Sequence, residues 1–412
     1  MPSGPTFVIV GASLGGARAA EALRDEGFEG QIVLIGTEAH YPYERPPLSK
    51  GYLQGREERQ SMFVQDDGWY AEHAIDLRLG TDVTAIDRNL RQVGLASGET
   101  VGYDKLLLTT GAVPRRLPVP GAGAHGVMTL RTVDDSDRLR ETLASASRIA
   151  VVGAGWIGLE VAAAARIAGV AVTVIEAAEL PLLGVLGPEA AQVFLDLHRE
   201  HDVDFRLRAQ VAEILVSADA ATGVRLAGGT EISADAIVVG IGVAPSTALA
   251  EAAGLDVDNG VRTDAALRTS DPVIYAAGDV ARAYHPLLGT HLRVEHWANA
   301  RHQPVAAARS MLDQDVAYDR LPYFYSDQYD LGMEYSGYVP PGGYDQVVFR
   351  GDVGKREFIA FWLSGGRVLA GMNVNIWDVN DQVQELVRAG RPADPARLAD
   401  PGVPLAEVAE GS

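Results

Sequence analysis

Hydrophobic positions in the first half of the chain alternate between short, fully apolar runs and longer segments with helical spacing. The run "TFVIV" is followed by the helical segment "GGARAAEALRDEGFEG" and by a second apolar run, "QIVLIG". Gly27 and Gly30 are placed to end that helix, since glycine tolerates the left-handed backbone of a helix C-terminus. The same order recurs at 148 to 176 in "RIAVVGAG", "IGLEVAAAARIAGV" and "AVTVIE". The pattern predicts two β-α-β units.

Three further segments are typical of buried strands that end in glycine-rich turns: 103 to 114 ("YDKLLLTTGAVP"), between the two units, and 234 to 245 ("ADAIVVGIGVAP") and 272 to 281 ("PVIYAAGDVA"), after the second. The first returns the chain to the first sheet just before the second β-α-β unit begins, and the third returns it there afterwards. We therefore expect the first domain to be interrupted by the second.

Alternation of apolar and polar residues begins after Tyr323 and predicts an antiparallel sheet from "DQVVFRGDV", "EFIAFWLSGG" and "RVLAGMNVN". A helix follows with Val379, Val383, Leu386 and Val387 on one face, and Gly390 with Pro392 is placed to end it. The fold class is thus α/β, with two Rossmann-like dinucleotide-binding domains plus a C-terminal α+β domain. The expected boundaries are 1–111 with 235–319, 112–234, and 320–412.

Composition narrows the functional classes. The 412 residues carry a formal net charge of -20, which disfavours nucleic acid because its phosphates would be repelled. No apolar run approaches the roughly 18 residues of a membrane helix. The start "MPSGPTFVIVG" lacks a basic leader, so we expect a cytoplasmic protein. The oligomeric state, monomer or dimer, is left open.

Metal and thiol chemistry have little support in the sequence. There is no cysteine, which excludes disulfides, thiolate nucleophiles and cysteine metal sites. His285, His291 and His296 fall close together, but their uneven spacing favours ordinary loop histidines over metal ligands. We expect no metal.

The second glycine turn has the full dinucleotide-binding pattern in Gly153, Gly155 and Gly158. Such glycines permit a tight strand-to-helix turn and close approach of a pyrophosphate to the helix N-terminus. Glu176 ends the next strand, where its carboxylate can accept the ribose hydroxyls and would repel a 2'-phosphate. The next residues, Ala177 and Ala178, bring no arginine, so the turn favours NADH over NADPH.

The first turn is a weaker match, because Ser13 replaces the middle glycine between Gly11 and Gly16. Glu38, the candidate ligand for its ribose, lies two residues beyond the usual place. A close helix–strand crossing without a nucleotide is the alternative for this turn taken alone. Two copies in one chain favour one permanent redox cofactor and one diffusible nicotinamide.

The order of the motifs assigns the cofactors. FAD is expected in the first turn and NADH in the second. Thr110 and Gly111 end the returning strand of the first domain, and Asp279 can accept a hydrogen bond from a ribitol hydroxyl. The alternative for Asp279 is that it caps the next helix.

Six segments together carry a resemblance to a known family: "YPYERPPLSK", "TTGA", "GAGWIGLE", "YAAGDVA", "VEHWANA" and "FYSDQYDL". They resemble the FAD-dependent NADH:ferredoxin reductases of oxygenase systems, the family that includes putidaredoxin reductase and has a glutathione-reductase-like fold. The resemblance extends to "LADPGVPLAEV". It implies an FAD domain interrupted by an NAD domain, with a C-terminal α+β domain.

The resemblance also implies residue roles. Arg45, Pro46 and Lys50 would lie along the flavin, and Lys50 would pair with Glu160 near flavin N5. We expect Glu160 in the first turn of its helix, where the helix dipole favours a carboxylate. The alternative from the residues alone is that Glu160 caps its helix and Lys50 is solvated.

Three tryptophans are also assigned, the first of them from the resemblance. The resemblance places Trp297 near the isoalloxazine, with Glu295 and His296 starting a helix there; packing in a domain interface is the alternative. Trp362 and Trp377 are expected in the core of the last domain, and the alternative for them is that they cover the edge of the flavin.

The resemblance implies that electrons pass from NADH through FAD, one at a time, to a [2Fe-2S] ferredoxin that supplies an oxygenase. Two alternatives share the motifs: an NADH oxidase or monodehydroascorbate-type reductase, and an NADH-sensing flavoprotein resembling apoptosis-inducing factor. Ferredoxins are usually acidic, so docking on this acidic chain needs a basic patch. The candidates, any of which could equally be an ordinary solvated side chain, are Arg301, His302, Arg309, Lys355 and Arg356.

Overall fold

The structure, a computed structural model, describes residues 4–66 and 68–408. They form two compact units. The first contains the described residues up to Arg45 together with Glu58–Val113 and Val243–Pro322, and the second contains Pro46–Glu57, Pro114–Gly242 and the described residues from Tyr323 onward. Among the helices of residues 4–66 and 68–408, none has the length and apolarity that crossing a membrane requires.

The helices occur throughout both units. They are α1 (Leu14–Asp25), α2 (Trp69–Glu72), α3 (Val133–Ser145), α4 (Trp156–Ile167), α5 (Leu183–Glu200), α6 (Ala248–Ala252), α7 (Trp297–Met311), α8 (Asn380–Ala389) and α9 (Pro395–Ala399). Short 3-10 helices occupy Pro46–Ser49, Arg59–Met62, Gly278–Val280 and Leu405–Glu407.

Most strands are short, with three to eight residues being the common length. They are β1 (Thr6–Val10), β2 (Gln31–Ile35), β3 (Ile75–Arg78), β4 (Val83–Asp87), β5 (Gln92–Leu95), β6 (Thr100–Gly102), β7 (Lys105–Leu108), β8 (Ala112–Pro114), β9 (Val127–Met128), β10 (Arg148–Val152), β11 (Ala171–Ile175), β12 (Asp204–Arg206), β13 (Val211–Ser217), β14 (Ala220–Leu226), β15 (Glu231–Ser233), β16 (Ala236–Val239), β17 (Val243–Pro245), β18 (Val261–Thr263), β19 (Ile274–Ala276), β20 (Ala281–His285), β21 (Thr290–Leu292), β22 (Tyr323–Gln328), β23 (Leu331–Gly337), β24 (Gln346–Asp352), β25 (Glu357–Ser364) and β26 (Arg367–Val374).

The first unit is built on a parallel sheet with strand order β19-β7-β1-β2-β3. Strands β1, β2, β7 and β19 are largely apolar and buried, because α1 and α7 pack on one face of the sheet, while α6 and strands β4 to β6 pack on the other. The alanines of α1 are buried, and α1 lies against α7. Because parallel strands end at the same edge, Gly11 after β1, Thr110 after β7 and Asp279 after β19 share one edge of this sheet.

The second unit contains a parallel sheet, β12-β11-β10-β16-β9, and an antiparallel sheet, β22-β23-β26-β25-β24. The two sheets share a core, since Leu186 and Phe194 of α5 belong to the same buried cluster as Phe324 and Trp362. The indole N–H of Trp362 donates to the Leu186 carbonyl at 2.9 Å. The antiparallel sheet therefore packs on the helices of the β-α-β fold within this unit.

The two β-α-β units and the antiparallel sheet predicted from the hydrophobic pattern are confirmed. Gly27 and Gly390 both adopt positive φ just after α1 and α8, as predicted for helix ends. Asp279 does not cap a following helix, because its 3-10 turn continues directly into β20.

Trp362 is fully buried, as expected, but the prediction that Trp377 is in the core is wrong, because this side chain is 54% exposed. Trp377 lies in the turn after β26, where its ring covers Gly332 instead of entering the core.

Candidate active site

The first glycine turn joins β1 to α1. A Cβ added to Gly11, where φ is +121°, would be 2.3 Å from the Thr109 carbonyl oxygen, and one added to Gly16 would be 2.0 Å from the Gly11 oxygen. Ser13 is the N-cap of α1 in an extended conformation, and its side chain makes no capping hydrogen bond. Gly11 and Gly16 are therefore required by the protein's own packing, while Ser13 leaves the helix N-terminus open to an anion.

The threonine turn after β7 supports this glycine turn. The Thr109 hydroxyl donates to the Gly11 carbonyl at 2.9 Å, and Thr110 donates to the Ser246 carbonyl at 2.9 Å. Gly111 adopts a φ of +68°. Thr109 was missed in the sequence, although it is part of the same "TTGA" motif.

Glu38 is already engaged by two donors. The Arg45 guanidinium lies 2.7 Å from one carboxylate oxygen, and the Tyr43 hydroxyl donates to the other. Each carboxylate oxygen can accept a second hydrogen bond, so ribose hydroxyls can still be accommodated. Pro46 begins the adjoining 3-10 helix.

The turn around Asp279 is buried, with Asp279 only 8% exposed. Gly278 has a φ of +79°, and a Cβ built on it would have no neighbour within 4 Å. The Gly278 N–H donates to the Gln303 side chain at 2.8 Å. Gln303 lies 25 positions further along the chain, and its hydrogen bond fixes the backbone of this turn at Gly278. No local pattern in the sequence indicated this role of Gln303.

Helix α7 begins at Trp297 with His296 as its N-cap, so Glu295 precedes the helix and does not start it as expected. Burial lowers the pKa of His296 to about 4, against the opposing effect of Asp279, so its imidazole is neutral at ordinary pH. The Arg301 guanidinium lies over the Trp297 ring, 5.1 Å from its centroid.

The second glycine turn divides its three glycines by role. A Cβ on Gly153 would be 2.4 Å from the Gly240 oxygen, and one on Gly158 would be 2.2 Å from the Gly153 oxygen. A Cβ on Gly155 would meet nothing within 4 Å. Packing therefore requires the outer two glycines, while the middle one borders the free space in front of the α4 N-terminus, where a phosphate fits.

The Glu176 side chain is held by backbone N–H groups at this turn and just after its own strand. Its carboxylate accepts the Ala154 N–H at 2.7 Å and the Ala178 N–H at 2.8 Å. The residues that follow Glu176 in the sequence include no arginine, as expected, but the fold brings Arg208 close to them. The backbone N–H of Arg208 donates to the Ala178 carbonyl, and its guanidinium pairs with Glu179.

A buried ion pair occupies the second unit. The Lys50 ammonium lies 2.7 Å from Oε1 of Glu160, with side-chain exposures of 14% and 3%. Glu160 also accepts hydrogen bonds from the hydroxyls of Ser49 and, at 2.7 Å, of Ser326. The Lys50 ammonium lies over the Tyr325 ring, 5.4 Å from its centroid. Lys50 is thus not a solvated side chain.

The placement of Glu160 in the first helical turn is wrong. Helix α4 begins at Trp156 with Gly155 as its N-cap, which leaves Glu160 in the second turn. The helix dipole weakens beyond the first turn, so the carboxylate depends on its side-chain donors for stabilisation. Ser49 and Ser326 were missed because they lie 111 and 166 positions from Glu160.

A family of known proteins accounts for both glycine turns. The family model described as pyridine nucleotide-disulphide oxidoreductase matches residues 5–303. The chain belongs to this family. A second model, described as reductase C-terminal, matches residues 323–409 of this oxidoreductase. The expected fold, cofactors FAD and NADH, and class of enzyme are thereby confirmed.

Full-length relatives make the assignment more specific. The oxidoreductase is 44% identical to the anthranilate 1,2-dioxygenase system ferredoxin--NAD(+) reductase component of Burkholderia cepacia, over 98% of this chain and 99% of the relative. It is 38% identical to putidaredoxin reductase of Pseudomonas putida, over 99% and 97%. The solved covalent putidaredoxin reductase–putidaredoxin complex matches with a TM-score of 0.95 at 38% identity, covering 99% of both chains. The resemblance found in the sequence is confirmed.

The residues of the oxidoreductase fit these cofactors. Gly155 and Gly278 leave space where a phosphate would have to approach, and the helices after both glycine turns begin without a side chain that caps them. Glu176 retains free lone pairs for ribose hydroxyls.

Proposed function

We propose that this protein is an NADH:ferredoxin oxidoreductase that passes electrons from NADH through FAD, one at a time, to a [2Fe-2S] ferredoxin supplying an oxygenase. The observation that carries the proposal is the combination of two glycine turns, each followed by an acidic residue beyond its next strand, in a chain that full-length ferredoxin reductases resemble from end to end. The absence of cysteine supports a non-thiol acceptor, despite the family's name.

The cofactor-binding residues follow the two turns. FAD is assigned to Gly11, Ser13, Gly16, Glu38, Arg45, Pro46, Lys50, Thr110, Gly111, Asp279 and Trp297. NADH is assigned to Gly153, Gly155, Gly158, Glu160 and Glu176. We keep the domain boundaries 1–111 with 235–319, 112–234 and 320–412 as part of the proposal, together with a cytoplasmic location.

The residues of this chain bind the two cofactors, orient them and set the charge around them. The proposed reaction requires no covalent bond between a residue and the substrate. When held by the residues assigned to it, FAD would supply the chemistry that joins a two-electron donor such as NADH to a one-electron iron–sulfur acceptor. Glu176 orients the adenosine ribose, and the α4 N-terminus binds the pyrophosphate. The Lys50–Glu160 pair, if it borders the flavin as proposed, would supply fixed charges that reduce reorganisation during transfer.

Docking of the ferredoxin must rely on short-range contacts, because the chain itself is acidic. Several of the candidate cations are already paired: Arg309 with Glu26 at 2.7 Å, Lys355 with Asp352 at 3.6 Å, and Arg356 with Glu200. Burial lowers the pKa of His302 to about 4, with nearby arginines adding to the effect, so it is uncharged at neutral pH. Arg301, over Trp297, is therefore the first docking candidate to test.

The deciding experiment is NADH-driven reduction of a panel of [2Fe-2S] ferredoxins by the purified flavoprotein, with oxygen alone as the control. The proposal predicts fast reduction of at least one ferredoxin over a low rate with oxygen. Fast bleaching of the visible flavin absorbance without reduction of any ferredoxin, but with rapid oxygen consumption, would instead identify an NADH oxidase.

A further inference from the structure

Behind the Lys50–Glu160 pair, a row of buried polar side chains crosses the second unit. Ser326 donates to Glu160, and the Gln328 amide nitrogen lies 3.0 Å from the Ser326 oxygen. The Gln328 amide oxygen lies 2.8 Å from Nε2 of His198. Ser326, Gln328 and His198 are 0%, 1% and 0% exposed. Three elements contribute, since Glu160 is on α4, His198 on α5, and the other two on β22.

The carboxylate at one end fixes the direction of every hydrogen bond in this row. A serine hydroxyl carries one hydrogen, so Ser326 must accept from Gln328 once it donates to Glu160. The amide nitrogen of Gln328 therefore faces Ser326, and its oxygen faces His198. His198 must then carry its hydrogen on Nε2 and leave Nδ1 as an acceptor.

The surroundings of His198 match that state. Burial lowers the pKa of His198 to about 4, opposed by the bond to Gln328 and assisted by His201, so the ring is neutral at ordinary pH. The Tyr329 hydroxyl lies 3.4 Å from Nδ1, the atom left as an acceptor. The Tyr329 ring stacks on His201 with centroids 3.6 Å apart, which holds the phenol in place.

We propose that Ser326, Gln328 and His198 are positioning residues that act through Glu160, forming a one-directional hydrogen-bond chain that orients its ionised carboxylate toward Lys50. Aligned donors polarise one another and stabilise a negative charge at the end of the chain. This role rests on the proposed action of Lys50 and Glu160 at the flavin, but the chain itself is a property of the polypeptide.

A purely structural role is the competing explanation, because the same bonds also tie α5 to β22. The charged groups near Glu160 are Lys50 and Asp327, whose carboxyl pKa is raised by burial, opposed by Lys50, and further raised by Glu160. Neither contacts Gln328 or His198 by a hydrogen bond in the described chain. Substitution of Ser326 or Gln328 therefore changes the hydrogen bonds that orient Glu160 and removes neither member of the Lys50–Glu160 pair.

The test compares two buried serines of the same antiparallel sheet in the FAD-loaded protein. Ser326→Ala breaks the chain, whereas Ser336→Ala removes an equally buried hydroxyl that donates to Asn380 at 2.7 Å. We expect Ser326→Ala to slow bleaching of the flavin absorbance by NADH about tenfold, with the half-saturating NADH concentration unchanged. Ser336→Ala should leave the rate unchanged, and Ser326→Thr, which keeps the hydroxyl, should restore it.

Two spectroscopic measurements do not depend on turnover. Infrared difference spectra against Glu160→Gln identify the Glu160 carboxylate band, which should shift in Ser326→Ala and not in Ser336→Ala. Nitrogen-15 NMR should show His198 as the Nε2–H tautomer, and Gln328→Met should remove that preference.

An unshifted carboxylate band in Ser326→Ala, equal effects of the two alanine variants, or an Nδ1–H tautomer at His198 would overturn the proposal. If Glu160→Gln itself left reduction by NADH unchanged, the catalytic assignment would fail instead, while the infrared and NMR results would still decide the chain.

Discussion

The ammonium of Lys50 lies 2.7 Å from the carboxylate of Glu160, and the two residues are 110 positions apart in the sequence. Both side chains are largely buried. Burial of an ion pair is costly unless further hydrogen bonds stabilise it, and here the hydroxyls of Ser49 and Ser326 supply them. Such a pair contributes little net stability in many proteins, so its presence favours a functional role.

Replacement of Lys50 by methionine should slow reduction of the flavin by NADH about 10- to 100-fold, because the charge pattern at the reacting end is lost. Stopped-flow mixing with NADH measures this rate. Lys105→Met is the matched control, since Lys105 makes a 2.7 Å ion pair with Asp313 and has a side-chain exposure of 16%. Equal slowing in both variants would contradict a catalytic role for Lys50.

Replacement of Glu176 by glutamine should raise KM for NADH about tenfold and reduce discrimination against NADPH, because one charged acceptor of the ribose hydroxyls is lost. Steady-state kcat/KM for both nucleotides measures the effect. Glu179→Gln, which only releases the exposed Arg208, is the control. If NADPH were used no better by Glu176→Gln than by the parent protein, Glu176 would not be the source of the specificity.

Substitutions of two glycines in the second turn should affect different properties, one the stability of the fold and the other the affinity for NADH. Gly158→Ala places a Cβ 2.2 Å from the Gly153 oxygen and should destabilise the protein by about 1–3 kcal/mol. Gly155→Ala meets open space and should leave the melting temperature nearly unchanged while weakening NADH binding. Thermal unfolding and nucleotide titration measure the two effects. Unchanged NADH affinity in Gly155→Ala would place the pyrophosphate elsewhere.

The elements of the fold could be predicted because their signals are local. The apolar run of β10, the glycine turn and the small residues of α4 occupy one continuous stretch, so periodicity and turn chemistry were sufficient. Trp377 was predicted in the core because its side chain is hydrophobic, but hydrophobicity alone does not determine whether a side chain in a turn points to the core or to solvent. Positive φ at Asn375 and Asp378 turns the chain around it, and its ring ends on the surface over Gly332.

The candidate site was predictable only where motifs mark it. The glycines, Glu176 and Asp279 belong to turns with a recognisable order, and the link between Lys50 and Glu160 came from family resemblance. The serines, Gln328 and His198 have no local signature, because apart from the bond between Ser326 and Gln328 their partners lie on other elements of the fold. A buried polar network of this kind requires three-dimensional structure.

The pH dependence of stability should include a contribution from His198. Its pKa is about 4 in the folded chain and about 6.5 when unfolded, chiefly because burial disfavours the charged ring. Between these values the unfolded state binds more protons, so stability decreases as pH falls from 6.5 towards 4, and the decrease ends below 4. The full contribution is on the order of 3 kcal/mol.

Urea unfolding of the FAD-loaded protein between pH 4.5 and 7 measures this contribution. The parent protein should lose stability on acidification. Burial also lowers the pKa of His296 and of His302 to about 4, so both should contribute, His302 less because it is partly exposed and screened by solvent. His198→Gln should show a shallower slope because one of these three groups no longer titrates. His125→Gln is the control, because its side chain is exposed. An unchanged slope in His198→Gln would mean that the folded protein protonates His198 as readily as the unfolded chain does, which would contradict the lowered pKa.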